Sequence, residues 1–481
     1  MSPAIGARRV ATVVAGFDTS PAWSGLACAL RTAIGDGRIP VDVRLPSERE
    51  LAGAVGVSRT TATRAYVALR EQGYAAARQG SGTFTRIPGG RARTLDRALS
   101  TRAGDDAAID LNCAASSAPP GIEAAYLAAV AELPAYLSGH GYYPAGLPEL
   151  QRLLADGFIA RGLPTGPDQV LVTSGALTAA AVAAQALVRP GDRVVVESPG
   201  YPNAAQAFEA AGARLVAVPV GEDGWDLDTL ESTVRRLRPR AAYLVPDFHN
   251  PTGRLMTDAE RARVARTLAD AGTVAVVDES HHLLALDDQR LPQPLARHVA
   301  AAGGSAITVG AASKSLWGGL RMGWARVEAG LVEDYTRARL AVDLGAPVLE
   351  QLALVHLLGD AGPTMAFHRS RLREQRDALV AAVSRLLPEW TFTVPDGGLA
   401  LWCRLPRPLG PAVVVEAEAR GVVVAPGPVF APEGGLASWV RIPFTRPVPE
   451  LERAVEVLAE SWAVTRRPGP GGGRPTRAMV A

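Results

Sequence analysis

The chain has 481 residues, 50 of them lysine or arginine and 48 aspartate or glutamate, with 48% hydrophobic residues and three cysteines. The hydrophobic fraction excludes wholesale disorder, and the length suggests about three structural units of ~150 residues. Cys28, Cys113 and Cys403 are too far apart for a disulfide framework or a cysteine zinc site, and no apolar run approaches the ~18 residues of a membrane helix. A cytoplasmic protein without a metal centre is the expectation.

In chain order, residues 1–20 open with Arg8-Arg9 and a short apolar stretch that lacks a convincing cleavage site, and read as a mobile arm. Trp23, Leu26, Leu30 and Ile34 have helical spacing that stops at Gly35. A second helix is expected from Ser47, where Ser47 and Glu50 have capping-box spacing and Gly56 ends the run. Ser58 is expected to cap a third helix through Ala65, Val67 and Leu69 to Gly73. Two short helices across a glycine turn form a helix-turn-helix. Residues 74–78 and 83–86 can pair across Gln79-Gly80-Ser81-Gly82 as a hairpin wing. Residues 21–93 carry eleven arginines against five acids, leaving 39 basic against 43 acidic residues in the rest, so the net charge of +2 hides a basic segment. Such a segment suits nucleic acid. The third helix offers Arg59, Thr60, Thr61 and Arg64 in its first turns. Arginine can fork onto guanine or phosphate, and threonine reaches phosphate or a thymine methyl.

These residues resemble the GntR-type winged helix-turn-helix, along Arg44-Leu-Pro-Ser-Glu-Arg-Glu-Leu-Ala, Val57-Ser-Arg-Thr-Thr and Gly80-Ser-Gly-Thr-Phe. The resemblance implies a DNA-binding domain over 21–88, dimeric on a double-stranded operator. Its candidate DNA contacts are Arg44, Ser47, Arg59, Thr60, Thr61, Arg64, Gly80 and Thr83.

Residues 89–109 lack apolar periodicity and read as a linker. Beyond it, valine-rich strands over 169–173, 193–197, 241–246 and 274–278 alternate with alanine-rich helical stretches. That alternation predicts an α/β domain with a mostly parallel sheet over 110–465. Residues 466–481, rich in Pro, Gly and Arg, read as a disordered basic tail.

All but one of the 50 basic residues are arginine; the exception is Lys314. An amine can lose its proton and attack a carbonyl, which a guanidinium does poorly. Lys314 follows a small-residue strand end, and a glycine loop carries Arg321 seven residues later, suited to an anion such as phosphate. Ser174, Gly175 and Ala176 lie between a strand and a helix, where amides can hold a phosphate. Asp278 ends an apolar run, where a buried carboxylate could keep a pyridinium nitrogen protonated.

Together these stretches resemble a fold-type I, aspartate-aminotransferase-like domain using pyridoxal 5'-phosphate; joined to the head, the chain resembles the MocR subgroup of GntR regulators. The resemblance makes Lys314 the Schiff-base lysine and Asp278 the partner of the pyridine nitrogen. Asn250, in Asp247-Phe-His-Asn-Pro-Thr-Gly, would contact the phenolic oxygen, and Tyr201 would stack on the ring. Ser174, Gly175, Ala176, Ser313 and Arg321 fall in phosphate-binding positions, and Arg441 in that of an arginine taking an amino-acid carboxylate. Two positions depart from the pattern. His281 stands where a tyrosine usually donates to the cofactor; it could donate similarly but titrates near neutral pH. Ala311 replaces a phosphate-binding serine, removing a contact worth about 1 kcal/mol.

The expected function is a regulator sensing a small amine or amino acid, or pyridoxal phosphate itself, through aldimine chemistry at Lys314. The alternatives are a working aminotransferase with an appended DNA-binding head and a DNA-binding protein whose body is a dimerisation scaffold.

Overall fold

In the computed structural model, which describes residues 4–35, 38–40, 43–78, 82–86 and 109–466, helices build the head: α1 (Ala7–Val13), α2 (Ala22–Gly35), α3 (Glu48–Val55) and α4 (Arg59–Glu71). A hairpin of β1 (Ala75–Arg78) and β2 (Gly82–Thr85) follows. The expected capping box is formed, with Ser47 N donating to Glu50 Oε2 at 2.9 Å and Glu50 N to Ser47 Oγ at 3.3 Å. Gly56, at φ 78°, ends α3 in the left-handed region that a side chain disfavours. Ser58 Oγ accepts from Thr61 N at 3.0 Å and starts α4. Leu26, Leu30, Ile34, Leu51 and Leu69 are fully buried together.

The arm expected to be mobile is corrected over part of its length. Within it, Val10 of α1 and Val14 just past its end are buried in the head's core, and Ile5 N donates to Arg44 O at 3.1 Å. The short apolar stretch is a packing face. Residues 89–108 of the expected linker, residues 467–481 of the expected tail and Gly80 lie outside the described residues. Ile109, placed in the linker from sequence, already belongs to β3 (Ile109–Asp110).

The body is a three-layer α/β unit around an eight-stranded sheet. Its strands are β4 (Val170–Thr173), β5 (Arg193–Ser198), β6 (Arg214–Gly221), β7 (Gly224–Trp225), β8 (Ala241–Leu244), β9 (Val274–Asp278), β10 (Ala306–Ala311) and β11 (Gly323–Val327), in spatial order β4-β11-β10-β9-β8-β5-β6-β7. The five strands from β10 to β6 run parallel; β11 and β7 are antiparallel to their neighbours. Strands such as Val274–Asp278 are buried at every position, as a sheet covered on both faces requires, which explains continuous apolar runs without alternation. A smaller sheet of β12 (Ala400–Arg404), β14 (Ala425–Pro426) and β15 (Trp439–Pro443), in order β12-β15-β14, packs with the helices Ala361–Leu386, Gly410–Glu418 and Val448–Thr465. Between β12 and β14, β13 (Val422–Val423) pairs in parallel with β3. Among the described residues no helix is long and apolar enough to cross a membrane, and no group of three His, Cys, Asp or Glu could hold a metal ion.

Candidate functional site

The parallel strands end at one edge of the large sheet, where α/β proteins place their ligands. A cavity of about 390 Å³ opens there, lined by Ala176, Tyr201, Asn250, Asp278, His281, Ser313, Lys314, Arg321 and Arg441 among others. Nine of the eleven positions proposed from sequence for cofactor and effector thus converge. The other two border it: Arg321 Nη2 donates to Ser174 O at 3.2 Å, and a Cβ on Gly175 would lie 2.9 Å from that same nitrogen. Gly175 has φ 109°, a conformation that favours glycine at the start of the helix Ala176–Leu187, and a Cβ there would push the Arg321 guanidinium aside.

Lys314 sits in the single helical turn Ala312–Ser315 that follows β10, half-buried, with Nζ donating to Ala114 O at 2.7 Å. Burial pulls its amine below the ordinary lysine value, with the Arg441 charge adding to the effect; a larger fraction of free, nucleophilic amine follows. Asp278 is buried, accepting from Tyr243 Oη at 2.5 Å and from Ser280 N at 2.8 Å. Tyr201 faces the same cavity, its hydroxyl pushed up to about 12 by burial and then by the Asp278 charge, so it stays a neutral ring with a donor hydroxyl.

Arg441, on β15, is 1% exposed. It donates to Asn250 Oδ1 at 3.1 Å and to Asn112 O at 2.5 Å, and lies 4.9 Å from the Phe430 ring centroid. Its Nε finds no partner among the described residues. A buried cation with a spare donor in a cavity wall suits a ligand carboxylate. His249, the neighbour of Asn250 in the chain, belongs to a buried hub: Glu197 accepts from Trp225 Nε1 at 2.6 Å and Val245 N at 2.9 Å, with His249 Nε2 at 3.3 Å.

His281 corrects the sequence reading. Its Nδ1 lies 3.1 Å from Phe248 O. A carbonyl only accepts, so Nδ1 carries the proton and Nε2 of the neutral ring is an acceptor. Burial, then the Lys314 charge, lowers His281 to about 3, well below the neutral pH at which a free imidazole titrates. It therefore cannot donate as the tyrosine of related sites would. A histidine titrating near 6.5 in the unfolded chain and near 3 here stabilises the fold fully above ~6.5, and that stability drains as pH falls towards 3. Melting temperature should accordingly fall less over this acid range in His281→Asn than in the wild type.

In the head, Arg44, Ser47, Arg59, Thr60 and Arg64 are exposed, and Thr61 and Thr83 half-buried. Ser47 and Thr61 already serve as cap partners, and Arg64 lies over the Trp23 ring at 4.6 Å, whereas Arg59 and Thr60 are exposed in the first turn of α4. Sequence reasoning missed Asn112, Cys113, Ala114, Tyr243 and Glu197. Only Glu197, four residues before Tyr201 in Glu197-Ser-Pro-Gly-Tyr, stood close enough to a proposed site residue to have been raised.

Comparison with known proteins agrees with both parts. The profile of "Aminotransferase class I and II" matches residues 128–458, and that of "Bacterial regulatory proteins, gntR family" matches residues 24–85. The chain is 36% identical over 281 residues to 2-aminoadipate transaminase of Thermus thermophilus, covering 57% of this chain and 70% of that protein. It is 30% identical over 434 residues to the probable rhizopine catabolism regulatory protein MocR of Rhizobium meliloti, covering 82% and 84%. Among solved structures it is similar to LysN, the α-aminoadipate aminotransferase of Thermus thermophilus complexed with N-(5'-phosphopyridoxyl)-L-leucine, with a TM-score of 0.69, 29% identity, and coverage of 75% of this chain and 93% of that one.

Proposed function

The chain belongs to the aminotransferase class I and II family, in the MocR subgroup that joins such a body to a gntR-type head, and on that premise we propose that it is a cytoplasmic transcriptional regulator that holds pyridoxal 5'-phosphate and reads a small amine or amino acid. The observation that carries this reading is the convergence of its sole lysine, Asp278, Asn250 and Arg441 on one cavity, in a chain whose capped α3–α4 pair is built to read double-stranded DNA.

The donor set fits the cofactor. Arg321, Ser313 and the amides around Ser174, Gly175 and Ala176 suit a phosphate. Asp278 suits a ring nitrogen, Tyr201 a ring face and Asn250 a phenolic oxygen. Bound there, pyridoxal phosphate supplies an electrophilic carbon on which one amine can replace another. Arg441 would select amines that carry a carboxylate. Ala311, in the cavity wall, offers a phosphate no hydroxyl, and His281 offers a phenolic oxygen no proton. Both weaken the case for fast turnover.

The test is an absorbance titration of protein loaded with pyridoxal phosphate against a panel of amino acids, run beside an operator-binding assay. Spectral response with a parallel change in operator affinity is expected. The similarity to a transaminase favours a second reading, an active enzyme with a DNA-binding head. Consumption of an oxo acid beyond stoichiometry, abolished by Lys314→Ala, would establish it.

A second copy of the chain is the occupant we assign to the apolar face formed by Leu127, Leu137, Tyr142 and Leu344, which are 65%, 70%, 58% and 49% exposed. Gly345 packs against the Tyr143 backbone, bringing the segments of Leu344 and Tyr142 together. Exposed apolar surface of this kind marks an interface, and sedimentation should find a homodimer.

Operator contacts follow from exposure. Arg59→Ala should weaken operator binding, by about 1–3 kcal/mol with relaxed specificity if the contact is to a base, or with a salt slope reduced by about one if it is to phosphate. Arg64→Ala should have the smaller effect, because Trp23 already engages that guanidinium.

A further inference from the structure

The chain enters the body through the cavity. After the residues that connect it to the head, the chain pairs Ile109 and Asp110 with Val422 and Val423, and Leu111 N donates to Val423 O at 2.8 Å. Leu111 is fully buried in the core of the smaller sheet. The next residues, Asn112, Cys113 and Ala114, are cavity wall. Asn112 O accepts from Arg441 and Ala114 O from Lys314, the two groups that would meet a ligand's carboxylate and its amine.

The far end of this segment is tied back to the same lysine. Arg371 donates to Ser117 O at 2.7 Å and to His368 Nδ1 at 3.1 Å. His368 must then carry its proton on Nε2, which lies 3.0 Å from Lys314 O. Lys314, Ala114, Ser117, Arg371 and His368 thus form a closed ring of contacts, with His368 fully buried inside it.

We propose that residues 109–117 are a working part of the site, a strap that supplies carbonyl contacts to Arg441 and Lys314 and conveys occupancy of the cavity to the connection with the head. The proposal rests on the sensor reading above. Its chemistry is one of donor supply. An ammonium has three N–H groups, whereas a lysine nitrogen doubly bonded to carbon keeps at most one. A carboxylate on Arg441 likewise competes for the guanidinium that holds Asn112 O. Each ligand group therefore alters a strap contact, and a ligand can shift the head only through such differential contacts.

The test uses the full chain carrying Cys28→Ser, so that the half-exposed Cys113 is the reactive thiol; Cys403 is fully buried. Alkylation of Cys113 is followed with pyridoxal phosphate alone and then with L-2-aminoadipate, and operator affinity is measured under the same conditions. Both ligands are expected to change the alkylation rate. The change in operator affinity, about 5-fold or more for coupling of ordinary size, is expected to shrink below about 2-fold in Arg371→Ala and Leu111→Ala, with pyridoxal phosphate still bound. Arg371→Ala, outside the buried core, covers the case in which Leu111→Ala fails to fold. A full operator response in Arg371→Ala would overturn the strap and leave the sensor reading standing. Cys113 reactivity indifferent to both ligands would also remove the strap alone. Wild-type operator affinity indifferent to both would remove the sensor reading and the strap's role with it.

Discussion

Lys314→Ala is expected to abolish covalent capture of pyridoxal phosphate on the body. Borohydride reduction followed by peptide mass mapping should find one pyridoxyl group at Lys314 in the wild type and none in the variant. Lys314 is the sole lysine of the chain, so the only other amine is that of the N-terminus, which mapping distinguishes. Lys314→Arg should fail equally. It keeps the positive charge, but its guanidinium stays protonated and is a poor nucleophile. Burial lowers the Lys314 amine's affinity for its proton, an effect that would be pointless for a lysine serving only as a surface charge. Retention of a reducible adduct in Lys314→Ala, mapped to the body, would remove the assigned role. Operator affinity of the variant should no longer respond to amino acids.

Arg441→Ala is expected to weaken carboxylated amines selectively, by about 2–5 kcal/mol, or a roughly 30-fold or greater rise in Kd. Amines without a carboxylate should bind nearly as before, which separates a lost ion pair from general damage to the cavity. Arg441→Lys should rescue little, because an ammonium lacks the planar fork that takes both oxygens of a carboxylate. Burial lowers Arg441 to about 10. A guanidinium nonetheless keeps its positive charge, so carboxylate binding should hold through neutrality without a step from this group. Equal losses for carboxylated and uncarboxylated amines would show that Arg441 does not take a carboxylate.

Much of the site was legible because local chemistry marks it. A strand-end aspartate, a glycine-rich turn before a helix and a lone lysine among arginines each stand out along the chain. The same holds for the α3 and α4 caps, where Ser47, Glu50 and Ser58 act within three residues. What sequence could not reveal depends on distance or on burial. Asn112 meets Arg441 across 329 positions and Tyr243 meets Asp278 across 35, and main-chain carbonyls such as those of Asn112 and Ala114 carry no side-chain signature. His281 was misjudged because a free imidazole's titration says nothing about its surroundings, and only the fold shows that Phe248 O occupies Nδ1. Val10 and Val14 were misjudged because seven helical residues are too few to declare a packing face before the core they join is known.

The passage of residues 109–117 through the cavity sets where the molecule can be cut. A body begun after Ser117 would keep the whole eight-stranded sheet, Lys314 and Arg441, yet lose one wall of its cavity and the β3 partner of β13. A body begun just before Ile109 would keep both. The boundary of the sensing unit is therefore drawn by hydrogen bonds to two ligand-facing cations, some distance ahead of where the large sheet begins. A DNA-reading head grafted onto another body of this kind would need to bring its own residues 109–117, or match the recipient's, to be heard.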